Sequence, residues 1–343
     1  MHPNTVVTTK SALLLGLVTG LLPAAGCQKD AQAWGEANSI IVVAADSLWA
    51  QVGDSVLKAL EPRVMTVRDE RAFNLTHVSP LDSDWVQLRR FRQVLSLGVA
   101  GDSWVAPATA DEGRAEPYIA EQADVWARDQ RLTAVVLSPD RPAEQVLRLL
   151  PMLGARVDSA YRVYARLRMY QSGANEALRD SLAATAGFSL LLPALYRMER
   201  RDSLYIFRNW TELGGELRRT IAVTWRPGLD TTTSGWPMLA WRDSVVRAYG
   251  HAQQVQPKPQ RRRWLRRGPL EGLEVQGAWT ADFDGLPAGG PFITRKIPCD
   301  AGDRTYLLDA WLYAPARSKY EYMIQLETVL NTFRCTGGPP PAQ

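Results

Sequence analysis

The sequence predicts an α+β protein with mostly antiparallel sheets covered by helices, organised as two subdomains. Two patterns and the composition lead there. In the first half, β-branched apolar runs alternate with stretches of 3.6-residue periodicity, and the second half runs helix, three strands, helix, three strands, helix. With 46% apolar and 22% charged residues, the chain is ordinary globular material. The patterning divides it into a leader (residues 1–26), a flexible tether (27–38), an N-terminal subdomain (39–172), a C-terminal subdomain (173–335) and a disordered tail (336–343).

The leader begins with a short polar region carrying one charge, Lys10, followed by the apolar run ALLLGLVTGLL over residues 12–22. Crossing a bilayer takes roughly 20 apolar residues, so this run has the length of a signal-peptide core. Ala24-Ala25-Gly26-Cys27 resembles the lipobox of bacterial lipoproteins, in which the cysteine is lipidated and becomes the first residue, although alanine replaces the usual leucine at its first position. The resemblance makes Cys27 the lipidation site and a membrane the first partner. The other reading is a secreted protein merely cut near Cys27. Each buried methylene contributes about 0.8 kcal/mol, so a multiply acylated cysteine anchors stably. Gln28 in place of Asp after the cysteine resembles lipoproteins sorted to the outer membrane, facing the periplasm.

After the tether, SIIVVAA reads as a buried strand, and Asp46 is placed to cap a helix whose Trp49, Val52, Val56 and Leu60 share one face. Residues 91–100 and 131–139 supply two more strands, separated by an expected loop over 101–123. A long helical pattern starts at Pro142 and runs to about residue 170 with Pro151 inside it. This half is therefore expected to hold few strands, with helices on one face.

The second unit opens with the helix NEALRDSLAATAG. Strands FSLLLPALYRMER, SLYIFRNW and RRTIAVTWRP follow, then a helix around MLAWRDSVVRAYG, then strands GLEVQGAWTADF, PFITRKIPC and RTYLLDAWLYA. Over residues 317–334 a closing helix presents Tyr320, Met323, Leu326, Leu330 and Phe333 as an apolar stripe. The element order resembles the PsbP-like or Mog1-like sandwich. Cys299 ends a strand and Cys335 ends the last helix. An even pair outside the cytosol reads as a disulfide, the alternative being two buried thiols.

Taken together, IIVVAADSLWAQVGDSV, ADVWARDQ, YIFRNW with WRDSVV, GGPFITRK and LLDAWLYAPARSKYEYMIQLETVL resemble bacterial envelope lipoproteins of domain of unknown function family 4837, from about residue 39 to 333. The spacer between Trp279 and the Gly289-Gly290-Pro291-Phe292 run is longer than in that family pattern. The resemblance implies location and architecture, and it supplies no catalytic residues.

No nucleophile elbow, zincin helix, phosphate-binding loop or dinucleotide fingerprint is present, and the chain after the leader has two histidines, His77 and His251, both expected in or beside loops. No catalytic residue, metal site or cofactor is predicted. The DFDG segment at residues 282–285 reads as a turn, and GLPAGGP as a tight connection or a place where a ligand nears the backbone. A net charge of +4, one unit of which leaves with Lys10, is too small to suggest nucleic acid.

The sharpest feature is QPKPQRRRWLRRGP. Arg261, Arg262, Arg263, Arg266 and Arg267 surround Trp264 in what reads as a Pro-bounded loop, a candidate contact with an anionic surface. With 34 Arg against 6 Lys in the chain, a solvated loop is the competing account. Trp49, Trp126, Trp210, Trp225, Trp241, Trp279 and Trp311 fall in or beside predicted elements, as core or as the lining of a glycan or lipid groove. The sequence thus points to a non-catalytic, lipid-anchored envelope lipoprotein binding a protein, a glycan or an anionic lipid. The alternative is an envelope hydrolase or transferase using dispersed carboxylates.

Overall fold

The computed structural model describes residues 31–109, 113–211, 216–249, 253–257, 260–267, 270–283 and 285–337. The N-terminal half contains β1 (Ser39–Val43), α1 (Asp46–Leu60), a ribbon of β2 (Arg63–Val64) and β3 (Glu70–Arg71), β4 (Asn74–Val78), α2 (Trp85–Leu88), β5 (Gln93–Val99), β6 (Tyr118–Ala123), β7 (Arg131–Leu137) and α3 (Pro142–Met169). Its five-stranded sheet has the order β4-β1-β5-β7-β6. All neighbours are parallel except β6 on β7. Parallel pairing follows from the strand–helix–strand crossovers, since a return through a helix brings the next strand in the same direction. The central strands are apolar on both sides: Ile40 and Val42 meet α1 and α3, whereas Ile41 and Val43 meet Trp85 and Val105 beneath.

Several expectations change here. The tether is laid down from residue 31 onward: Ala33 N–H donates to Arg128 at 2.9 Å, and Arg92 N–H donates to the Trp34 carbonyl at 2.8 Å. Gln32 and Trp34 bridge to Arg128 and Phe91, so residues 31–38 are part of the fold. The end of the expected loop over 101–123 is β6, which pairs along the edge of β7. Asp46 accepts from Ser79 Oγ at 3.1 Å instead of capping α1. His77 lies in β4, stacked 4.4 Å from the Trp49 ring, and so is a packed residue of a strand. Cys27, His251 and the tail beyond residue 337 lie outside the described residues.

The C-terminal half contains α4 (Glu176–Thr185), β8 (Phe188–Ser189), β9 (Arg197–Arg201), β10 (Leu204–Thr211), β11 (Leu217–Pro227), α5 (Gly235–Ala248), β12 (Gln254–Val255), β13 (Arg261–Arg267), β14 (Leu270–Phe283), β15 (Leu286–Cys299), β16 (Arg304–Tyr313), α6 (Tyr320–Leu330) and β17 (Arg334–Cys335). Its sheet is antiparallel with the order β12-β14-β15-β16-β11-β10-β9, and β13 also pairs with β14. The two-residue period of the strands sorts side chains to two covers. Ile293, Leu308, Ala310 and Leu312 pack with α4 and α6, while Phe292, Leu307 and Trp311 pack with α5. The segment over 188–200, expected as one strand, is split: β8 pairs with β17, and β9 forms the sheet edge.

Cys299 and Cys335 are disulfide-bonded with Cα atoms 6.0 Å apart, which ties the end of β15 to the chain after α6. Across the two halves, Ile324 of α6 is buried in the same cluster as Val146, Leu150 and Leu153 of α3. Arg162 of α3 also pairs with Glu327 of α6 at 2.7 Å.

Candidate functional site

Antiparallel register places Trp210, Arg218 and Tyr313 side by side on β10, β11 and β16, with Thr220 and Trp311 in the next row. All five belong to the α5 face of the sheet, and Trp311 also packs against α5. Together with Trp279, Glu216, Gln253 and the β15 segment Leu286, Pro287 and Ala288, they line a cleft of about 250 Å³. Trp279 and Trp311 are buried, whereas Trp210 is 44% exposed and stands at the mouth. The Arg218 guanidinium lies 5.2 Å from the Trp210 ring and 5.8 Å from the Tyr313 ring, and it pairs with Glu216. Burial, with Glu216 alongside, pushes the Tyr313 hydroxyl above its ordinary value.

The polar groups of the cleft rest on a buried cluster. Arg242 of α5 donates from Nε to Asp309 Oδ1 at 3.0 Å and from Nη2 to Gln253 Oε1 at 2.7 Å. Thr294 donates to the same Asp309 oxygen, and Arg242 lies 4.3 Å from the Phe292 ring. Burial pushes the Asp309 carboxyl up, against the pull of Arg242 and Thr294. Because the Gln253 oxygen is engaged by Arg242, the amide NH2 is the end it offers to the cleft. The Trp279 indole N–H is buried with no partner among the described residues. A buried donor left without an acceptor costs about 1–3 kcal/mol.

The arginine run is a strand, not a loop. Its alternation is masked by charge: Leu265 enters the α6-side core and Trp264 packs on the α5 side, where its N–H donates to Glu271 at 3.1 Å. Arg263 pairs with Glu274 and Glu327 at 2.6 and 2.9 Å, inside a chain of charges that continues from Glu274 to buried Arg295 at 2.7 Å. Arg261, Arg262 and Arg266 are exposed; Arg266 lies 3.7 Å from Glu271. Arg267 belongs to β13, and its side chain is outside the described residues. The run therefore does not present five arginines to one surface.

Gly285 has φ +82° and donates to Asp282 Oδ1 at 2.6 Å, next to where β14 ends and β15 begins. Gly290 admits a close strand approach, since a Cβ there would meet the Leu312 carbonyl oxygen at 1.8 Å. Among the described residues no group of three His, Cys, Asp or Glu side chains is placed to hold a metal ion. Glu216 is the one described carboxylate lining the aromatic cleft. Glu36 and Glu321 line a separate cleft between the two halves, where Glu321 is held by Arg168 and Gln325. No helix of the described residues is long and apolar enough to cross a membrane.

Of these cleft residues, Trp210, Trp279 and Trp311 stand out in the sequence. Glu216, Arg218 and Gln253 do not, although the alternation of RRTIAVTW places Arg218 and Thr220 on one face.

Residues 175–332 match the model of a domain of unknown function, DUF4837. Residues 33–145 match a different one, DUF8532, so the resemblance drawn from residue 39 onward covers two families. No curated protein matches the chain. Among solved structures, the Ran-binding protein Mog1p of Saccharomyces cerevisiae is similar at 11% identity and TM-score 0.31, over 44% of this chain and 90% of that one. Human STARD10 is similar at 11% identity and TM-score 0.20, over 45% of this chain and 72% of that one. Residues 175–332, which match DUF4837, carry the aromatic cleft.

Proposed function

We propose that this chain is a non-catalytic, lipid-anchored protein of the bacterial cell envelope that binds a saccharide in the aromatic cleft. The anchor at Cys27 and the outer-membrane location rest on the lipobox and on Gln28. The binding role rests on the cleft, and one observation carries it: aromatic faces stand beside polar groups that are held in place.

A sugar ring matches that combination, because its C–H faces stack on Trp210 and Tyr313 while its hydroxyls accept from the Gln253 N–H and donate to Glu216. A hydrocarbon chain would fill the same volume and leave those groups unsatisfied. At about 250 Å³ the cleft falls below the roughly 300–1,000 Å³ typical of pockets for drug-sized ligands, which fits a ring or two.

The test is calorimetric titration of the mature chain, in mild detergent, with di-N-acetylchitobiose and with short-chain phosphatidylglycerol as the lipid probe. Saccharide binding that is lost in Trp210→Ala supports the proposal. Binding of the phospholipid alone would overturn it.

A further inference from the structure

A second cleft, of about 580 Å³, lies on the other side of Gln253, and that residue lines both. Its wall is one stripe of α5, Trp236, Ala240, Asp243 and Arg247, at helical spacing. Its far side is Gln254, Val255 and Gln260. Trp236 is 68% exposed in the first turn of α5, an aromatic face turned to solvent with no core role. Next to it, Gly235 keeps the helix start close to β13: a Cβ there would lie 3.1 Å from Arg262 Nε.

Below this wall Arg242 and Asp243 form an ion pair. Arg242 is fully buried, and among the described residues neither its Nη1 nor Asp243 Oδ1 has a hydrogen-bond partner. The two atoms are 3.9 Å apart, beyond hydrogen-bond reach of one another. Asp243 itself lines the cleft and its side chain is 38% exposed, so its carboxylate can accept from a ligand hydroxyl there. Burial pushes the Asp243 carboxyl up, against the pull of Arg242 and Arg247.

We infer that the saccharide site continues past Gln253 into this second cleft, so that the ligand is an oligosaccharide bridging both, with Trp236 as its outer stacking platform and Asp243 as its hydroxyl acceptor. The inference rests on the saccharide reading of the first cleft. It adds chain length as the feature recognised, because a single sugar fills one cleft and leaves the other wet.

The experiment is titration of the full mature chain, in mild detergent, with β-1,4-linked N-acetylglucosamine oligomers of two to six units. The affinity is expected to rise at least tenfold from dimer to hexamer. Trp236→Ala and Asp243→Asn should each remove most of that rise while leaving dimer affinity within about twofold, which also shows that the variants are folded. Trp210→Ala should weaken every length. Equal affinity for all lengths, with Trp236→Ala silent, would overturn the second cleft and leave the first reading standing. No binding of any oligomer by the native chain would overturn both.

Discussion

Arg263 donates to Glu327 at 2.9 Å while its Nε holds Glu274 at 2.6 Å, so a residue from the most basic stretch of the chain joins β13 and β14 to α6. Glu327 in turn accepts from Arg162 of α3 at 2.7 Å, which carries the same chain of charges into the N-terminal half.

Replacing Arg263 therefore acts on stability. The Arg263 side chain is 36% exposed, so the loss on Arg263→Ala is expected at about 1–2 kcal/mol, below the 3–5 of a fully buried pair broken on one side. Arg261→Ala and Arg266→Ala, on exposed side chains, should stay within about 0.5 kcal/mol of the native chain. Urea denaturation of the three variants checks the contrast, and equal effects would remove Arg263 from its structural role.

The run looked like a loop because charge hides alternation. Five arginines in seven positions leave Trp264 and Leu265 as the sole apolar marks of two faces, and the carboxylates that neutralise Arg263 lie 11 and 64 residues away. Strands such as VLSLG and TAVVL are legible because buried parallel strands are apolar on both sides. The NLTHV of β4 is not, since its burial comes from pairing at the sheet edge and from Trp49 over His77. The cleft shows the same limit: Trp210 and Tyr313 are neighbours only because β11 pairs with both β10 and β16.

Acid stability should report Asp230. Burial alone would raise its carboxyl, but hydrogen bonds from Lys296 and Thr232 lower it to about 2. A depressed folded-state value means that the contribution is complete above the unfolded value near 3.9 and is lost as pH falls toward 2. Denaturation midpoints of native and Asp230→Asn proteins should therefore converge between about pH 4 and pH 2. A constant difference across that window would contradict the assignment.

The disulfide joins residues separated by 36 positions. In the chain-entropy model, closing such a loop contributes about 4 kcal/mol. A Cys299→Ser, Cys335→Ser double variant should unfold at correspondingly lower denaturant, and an unchanged midpoint would show that α6 is held by packing alone.

Anchoring is checked by mass spectrometry of the N-terminal peptide from a bacterial host. The expected result is an acylated Cys27 as the first residue, absent in Cys27→Ala, which should also leave the membrane fraction. An unmodified chain starting elsewhere would remove the anchor and leave the cleft to be judged by itself.

The most direct test of saccharide recognition is saturation-transfer NMR of the mature chain with tri-N-acetylchitotriose, irradiating the aromatic protons. Strong transfer to the pyranose C–H protons is expected, from stacking on Trp210 and Tyr313, together with its loss in Trp210→Ala. Absence of transfer to the sugar rings in the native chain would contradict it.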